Sequence, residues 1–278
     1  MTKLSRFGSR RIRELLPSGL REMIGCSDNR GSGAAPTGDR GIAGEREDQL
    51  LTGPFRDRYE HIYRYALVSE QRLGLVADVG CGTGYGSAII NENNDAVGID
   101  PSDEATSYAR KRYPKLDFVR GSATSLPISD SSLDALTAFE IIEHVPDHTP
   151  MVKEFRRVLK PGGLLFLSTP NPAHLGNLLK KRLRGKPIPA KVNMENIYHL
   201  REFQYAEMLS ILEASGFRVV RAFGQTVPLS TFVWILEPIR RRILPMLGLK
   251  DVYDWLLSRL GEGFPRISFT VVYIARRV

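Results

Sequence analysis

Two apolar rhythms alternate along the middle of the chain. Short apolar runs at residues 75–79, 96–99, 116–119, 133–138 and 164–168 have the length and composition of buried strands. Between them, residues 84–91, 103–113 and 151–159 repeat their apolar positions at helical spacing. Upstream, Tyr59, Ile62, Tyr63 and Leu67 recur on one face of a helix expected over 55–71. Downstream, a helix near 205–215 is followed by strands near 217–223 and 267–275. Strands that are apolar throughout and alternate with helices predict an α/β fold, a mostly parallel sheet covered by helices on both faces. Lys160-Pro161-Gly162-Gly163 should stop the helix before it and turn the chain into the fifth strand, since proline and glycine do not continue a helix.

Outside this pattern, residues 1–48 read as a basic tail and linker. Leu4, Phe7, Ile12, Leu15 and Leu16 are set among basic residues there, and a Gly-, Ser-, Asp- and Arg-rich stretch follows. Residues 49–278 form the expected domain, interrupted by segments 170–203 and 225–266. Both interruptions leave from the sheet's carboxyl side or edge, where open α/β folds bind ligands, and long segments there serve as lids or substrate platforms.

Composition narrows the class. At 278 residues, with 42% hydrophobic and 25% charged residues, the chain matches an ordinary globular protein with one sizeable core. It has no run of about 18 uncharged apolar residues to span a membrane, and no apolar stretch follows the basic N-terminus as in a secretory signal. The only cysteines, Cys26 and Cys81, fall in the linker and in a glycine turn, which suits a reducing cytoplasm better than a disulfide. The net charge of +8 is uneven: residues 75–169 carry a net of −4, and the excess sits in Lys3 to Arg21, Lys180 to Lys191 and Arg240-Arg241-Arg242. Basic flaps around an acidic core lack the aromatic-studded basic face of a nucleic-acid binder. They fit solvated additions, an anionic lipid surface or a phosphorylated substrate.

The first strand ends in Val79-Gly80-Cys81-Gly82-Thr83-Gly84-Tyr85-Gly86, a glycine-packed turn opening a helix. Glycine there takes dihedrals closed to other residues and lets a ligand approach the backbone. Asp100 ends the second strand about 20 residues on, where such folds hold a ribose. The glycines alternate, unlike the dinucleotide fingerprint, and Asp78 would repel a phosphate while suiting an ammonium group. A ligand with an amino-acid end and a ribose, such as S-adenosylmethionine, fits better. Here the chain resembles the class I S-adenosylmethionine-dependent methyltransferases. The likeness runs through Asp78 to Gly84, Asp100, Leu126-Pro127, Leu133-Asp134, Glu140 to Pro146 and Leu159 to Gly163. It implies a Rossmann-like sheet of seven strands with the last antiparallel. It also implies a cofactor held by Gly80, Cys81, Gly82 and Gly84, with Asp78 on the ammonium, Asp100 on the ribose and Ser122 and Ala123 at the adenine.

After the fourth strand comes Phe139-Glu140-Ile141-Ile142-Glu143-His144-Val145-Pro146. Spacing i, i+3, i+4 would set Glu140, Glu143 and His144 on one helical face, where two carboxylates and an imidazole call for a proton or a cation. The segment is similar to that of 3-demethylubiquinone-type O-methyltransferases. That likeness implies a divalent ion on these three residues, Mg²⁺ or Mn²⁺ for hard oxygens, with Zn²⁺ open to the histidine. Alternatively Glu140 and Glu143 are structural and His144 alone acts as general base or merely packs; Glu140 is also a cofactor-binding candidate. A second segment, Asn193 to Phe203, resembles one in bacterial methyltransferases of polysaccharide and glycolipid assembly. It makes Tyr198, His199, Arg201 and Glu202 candidates for gripping an acceptor, against a plain helix entrance in which Glu202 caps. The apolar clusters Phe232 to Leu236 and Val252 to Leu257 fit an acceptor pocket, a subunit interface, a membrane surface or a lid core. The sequence therefore points to an O-methyltransferase of a sugar, glycan or glycolipid precursor. A phenol or quinol acceptor is the runner-up, and a non-catalytic cofactor-binding subunit is the rival from another class. The Asn/Asp-Pro-Pro-Tyr tetrad of base methylation is missing after the fourth strand.

Overall fold

The computed structural model describes residues 55–185, 187–188, 199–226 and 260–278. Its sheet contains β1 (Leu75–Val79), β2 (Asp95–Asp100), β3 (Asp117–Arg120), β4 (Leu133–Phe139), β5 (Leu159–Pro170), β6 (Phe217–Gln225) and β7 (Thr270–Arg277). The order across the sheet is β3-β2-β1-β4-β5-β7-β6. The first five strands pair in parallel, and β7 inserts antiparallel between β5 and β6. The order reverses between β1 and β4, and open α/β sheets bind ligands beyond the carboxyl ends of the strands at such a point.

Helices α1 (Phe55–Ser69), α2 (Tyr85–Ile90), α3 (Asp103–Arg112), α4 (His148–Val158), α5 (Leu175–Arg184) and α6 (Tyr205–Ala214) complete the described elements. Neighbouring residues of one strand serve opposite faces, as the pleat dictates. Ala77, Leu136, Leu165 and Tyr273 pack with Met151 and Phe155 of α4 and Met208 and Leu212 of α6. Val76, Ala135, Phe166 and Val272 pack on the other side with Ile62, Tyr65 and Val68 of α1 and Ile89 and Ile90 of α2. Each large apolar side chain buried this way contributes roughly 1.5–3 kcal/mol against exposure.

Seven strands with an antiparallel last one match expectation, but two boundaries differ. Lys160-Pro161-Gly162-Gly163 does not sit outside the sheet: β5 starts at Leu159, paired with Leu133, and the register then shifts to Ala135↔Leu164. Gly162, at φ 81°, belongs to this bulge, so the four residues bend the strand instead of preceding it. The last strand starts at Thr270 instead of 267, because a 3₁₀ turn (Pro265–Ile267) runs into the expected start. Of the two interruptions, 170–203 contributes α5 and 225–266 is mostly outside the described residues, as is the whole tail 1–48.

Candidate active site

The turn after β1 is built as its glycines require. Gly80, Gly82 and Gly84 have φ of 76°, 52° and 85°, all in the left-handed region. Their surroundings differ. A Cβ on Gly80 would lie 2.4 Å from Ile141 Cγ2, and one on Gly84 would meet Phe118 and Ala109 below 3 Å. A Cβ on Gly82 would meet nothing within 4 Å. Gly80 and Gly84 are therefore packed against the protein, and Gly82 faces the open space where a ligand can lie on the backbone.

Asp100, at the end of β2, is aimed by two backbone donors. Gly82 N donates to Oδ2 at 2.9 Å and Ser102 N to Oδ1 at 2.9 Å. Each oxygen keeps a lone pair for a diol. Beyond β3, Gly121 N donates to Asp100 O at 3.0 Å, which brings the next residues beside it. Ser122 is exposed and shares a 2.9 Å hydrogen bond with Thr124 Oγ1, and Ala123 is half-buried.

Asp78 departs from its expected place. Its carboxylate is 0% exposed beneath the turn, accepting from Ser87 Oγ at 2.8 Å and Thr137 Oγ1 at 2.7 Å. Burial pushes its pKa up to about 6 despite these donors. It braces the turn from below, where its negative charge acts on a ligand through the turn instead of by open contact. Cys81 is buried against Phe118 and Ala109, and burial raises its thiol pKa strongly, so it packs the turn and is not a reactive thiolate.

The second half of the site lies alongside, since Ile141 packs on Gly80. The expected helical face over 140–144 does not form. β4 ends at Phe139, Glu140 takes φ 55°, and a single 3₁₀ turn (Ile142–His144) follows. Glu140 stays close enough for its charge to act on Glu143, but its carboxylate is taken up by other partners. Its Oε1 accepts from Arg64 Nη1 at 2.8 Å and Ser168 Oγ at 2.8 Å, and Arg64 is 2% exposed. Glu140 thus belongs to a half-buried ion pair with α1, not to the set read from its spacing.

Glu143 and His144 acquire a different third member, His199. One ligand-type atom of each of Glu143, His144 and His199 lies within 4.8 Å of the others. The rings of His144 and His199 meet edge to face with centroids 4.9 Å apart. Leu200 N and Arg201 N donate to Glu143 O at 2.8 and 3.3 Å, which pins the returning chain onto the turn. His199 Nδ1 is hydrogen-bonded to Glu202 Oε1 at 2.7 Å, and the Glu202 side chain is fully buried. Glu143 is also 0% exposed; Thr169 Oγ1 donates to its Oε2 at 3.2 Å, while Oε1 has no hydrogen-bond partner. Burial, with Glu140 nearby, raises the Glu143 pKa well above the carboxylate range.

Residues 77–167 match the family model described as "Methyltransferase domain". A relative in Mycolicibacterium smegmatis, named a probable S-adenosylmethionine-dependent methyltransferase, is 33% identical over 204 residues, 72% of this chain and 72% of its own length. The chain belongs to the S-adenosylmethionine-dependent methyltransferases. An O-methyltransferase of Aspergillus nomiae is 28% identical over 62% of this chain and 81% of its own. A solved methyltransferase structure from Thermotoga maritima shares the fold with TM-score 0.56 and 19% identity, covering 85% of this chain and 96% of the other.

For this methyltransferase, the alternating glycines and Asp100 lie where the sequence put them, and the open face of Gly82 fits S-adenosylmethionine, the methyl donor of the family. Of the acceptor candidates, Glu202 stands behind His199 and not in the open, and Arg201 is exposed, paired with Glu207 and lying over the Phe203 ring. Tyr198 lies outside the described residues. Sequence reasoning missed Arg64, Ser168 and Thr169, and nothing in their spacing sets them apart. It named His199 but not its meeting with His144, 55 positions away. No helix among the described residues is long and apolar enough to cross a membrane.

Proposed function

We propose that the protein transfers a methyl group from S-adenosylmethionine to a hydroxyl of a sugar, glycan or glycolipid precursor. The observation that carries this reading is the Glu143–His144–His199 group beside the glycine turn. A hydroxyl is a poor nucleophile until its proton is taken, and imidazoles adjoining the donor site are suited to take it. The hydroxyl oxygen attacks the sulfonium methyl in line, the carbon–sulfur bond breaks, adenosylhomocysteine leaves, and the hydroxyl proton passes to the imidazole. The sulfonium supplies the driving force, so the protein acts mainly by positioning. The O-methyltransferase relative supports oxygen as the acceptor atom. The sugar class rests on the resemblance of the Asn193 to Phe203 segment, with the quinol and phenol class as its competitor. Contact with an anionic membrane surface is the accompanying proposal for the basic segments, and no nucleic-acid partner is invoked.

The test is transfer of radiolabelled methyl to a panel of sugars, glycolipid precursors and quinols, with the product bond identified by mass spectrometry. The reading expects an O-methyl sugar and a loss of about 10²–10⁴-fold in rate for His144→Ala. Label on carbon or nitrogen, or on quinols alone, overturns it.

A further inference from the structure

We infer that Glu143, His144 and His199 form a binding site for one divalent transition-metal ion, with Zn²⁺ its best match and Glu140 not a ligand. The inference rests on the reading of this turn as the acceptor site and specifies what occupies it.

Three observations carry it. First, the ligand-type atoms of the three residues lie within 4.8 Å of one another, so small side-chain rotations bring all three onto bonds of about 2.0–2.2 Å. Second, Glu143 Oε1 is buried without a hydrogen-bond partner. A buried carboxylate oxygen left this way is costly, and the other oxygen has only the Thr169 hydroxyl. Glu140 has Arg64 as its counter-charge and Glu202 has His199, whereas no cation is paired with Glu143 among the described residues. Third, the buried Glu202 accepts from the Nδ1 side of His199, leaving the opposite ring nitrogen to ligate. A carboxylate behind a histidine is the usual support for a metal-bound imidazole, because it fixes the ring and raises its basicity.

Two imidazoles and one carboxylate favour zinc over magnesium, which prefers oxygen throughout. Three protein ligands also leave a coordination position open. With both imidazoles ligating, the metal would replace the imidazole base: an acceptor oxygen held there beside the donor site would lose its proton more easily, to solvent. The site joins the β4 turn to the chain returning from the 170–203 segment, so occupancy would tie that segment to the turn.

The experiment titrates ZnCl₂ into chelator-stripped full-length protein by calorimetry, with Co²⁺ absorption as a second readout. One equivalent should bind, and Co²⁺ should give visible bands of nitrogen–oxygen coordination. His199→Ala and Glu143→Gln should each weaken binding at least tenfold, Glu202→Gln by about 10–100-fold, and Glu140→Gln not at all. Circular dichroism and S-adenosylmethionine titration on each variant show that it is folded. Zinc binding no tighter than to His199→Ala, or weakened by Glu140→Gln, overturns the site. Neither readout needs an acceptor. Failure to bind zinc therefore leaves methyl transfer by an imidazole base standing, and failure to methylate sugars leaves the metal site standing.

Discussion

Gly82→Ala separates ligand space from fold space in one substitution. Gly82 has φ 52°, so alanine there incurs left-handed backbone strain of roughly 1–2 kcal/mol. Its Cβ would touch nothing within 4 Å, so no clash adds to that strain. In a domain of this size, about 1 kcal/mol corresponds to a fall of roughly 2–4 °C in Tm. The new methyl would stand where the cofactor must lie against the backbone, and overpacking a fitted contact costs about 1–3 kcal/mol, roughly 5–150-fold in affinity. Calorimetric titration with S-adenosylmethionine and a thermal melt measure the two effects on one sample. Gly86→Ala is the counterpart, since its Cβ would fall 2.2 Å from the Tyr65 ring and strike the fold itself. The expected pattern is a small loss of Tm with a large loss of affinity for Gly82→Ala, and a larger loss of Tm for Gly86→Ala. Parental affinity in Gly82→Ala would refute the placement of the cofactor over this residue.

Asp78, with its pKa near 6, should make cofactor affinity fall as the pH drops through that value, by about tenfold between pH 7 and pH 5, because a cationic ligand favours the ionised carboxylate. Titrations over this range should show the slope in the parent and not in Asp78→Asn. In the free protein the sign is opposite. A carboxyl raised on folding favours the folded state at low pH, and that contribution is lost as the pH rises from about 4 to 6. Arg64→Leu should lower stability by about 1–3 kcal/mol, since it strands the partly exposed Glu140 without its buried counter-charge; urea unfolding in which Arg64→Leu matches the parent would contradict the ion pair. Asp100→Ala should weaken S-adenosylmethionine binding by about tenfold or more through loss of a charge-assisted diol contact, and should also lower Tm, because Gly82 N and Ser102 N lose their acceptor.

The fold and the cofactor half of the site were legible because their signals are local. Strand ends, alternating glycines and an acid closing β2 are set by periodicity and backbone dihedrals within a few residues, and Gly80, Gly82, Gly84 and Asp100 needed nothing further. The Glu143–His144–His199 group was legible only as a collection of residues. Its spacing suggested a helix carrying Glu140, Glu143 and His144, but the chain leaves β4 through a left-handed residue at Glu140, and one change in the sign of φ moves a side chain to the other side of the backbone. Whether Glu140 meets Arg64 or Glu143 was then decided by the packing of α1 on the sheet. Likewise His199 reaches His144 where the next two residues, Leu200 and Arg201, dock their backbone on the Glu143 carbonyl. Sequence alone determined the sheet, the glycine cradle and the types of chemical groups available; tertiary packing decided which of those groups meet, because contacts across 55 or 76 positions leave no periodic trace in the chain.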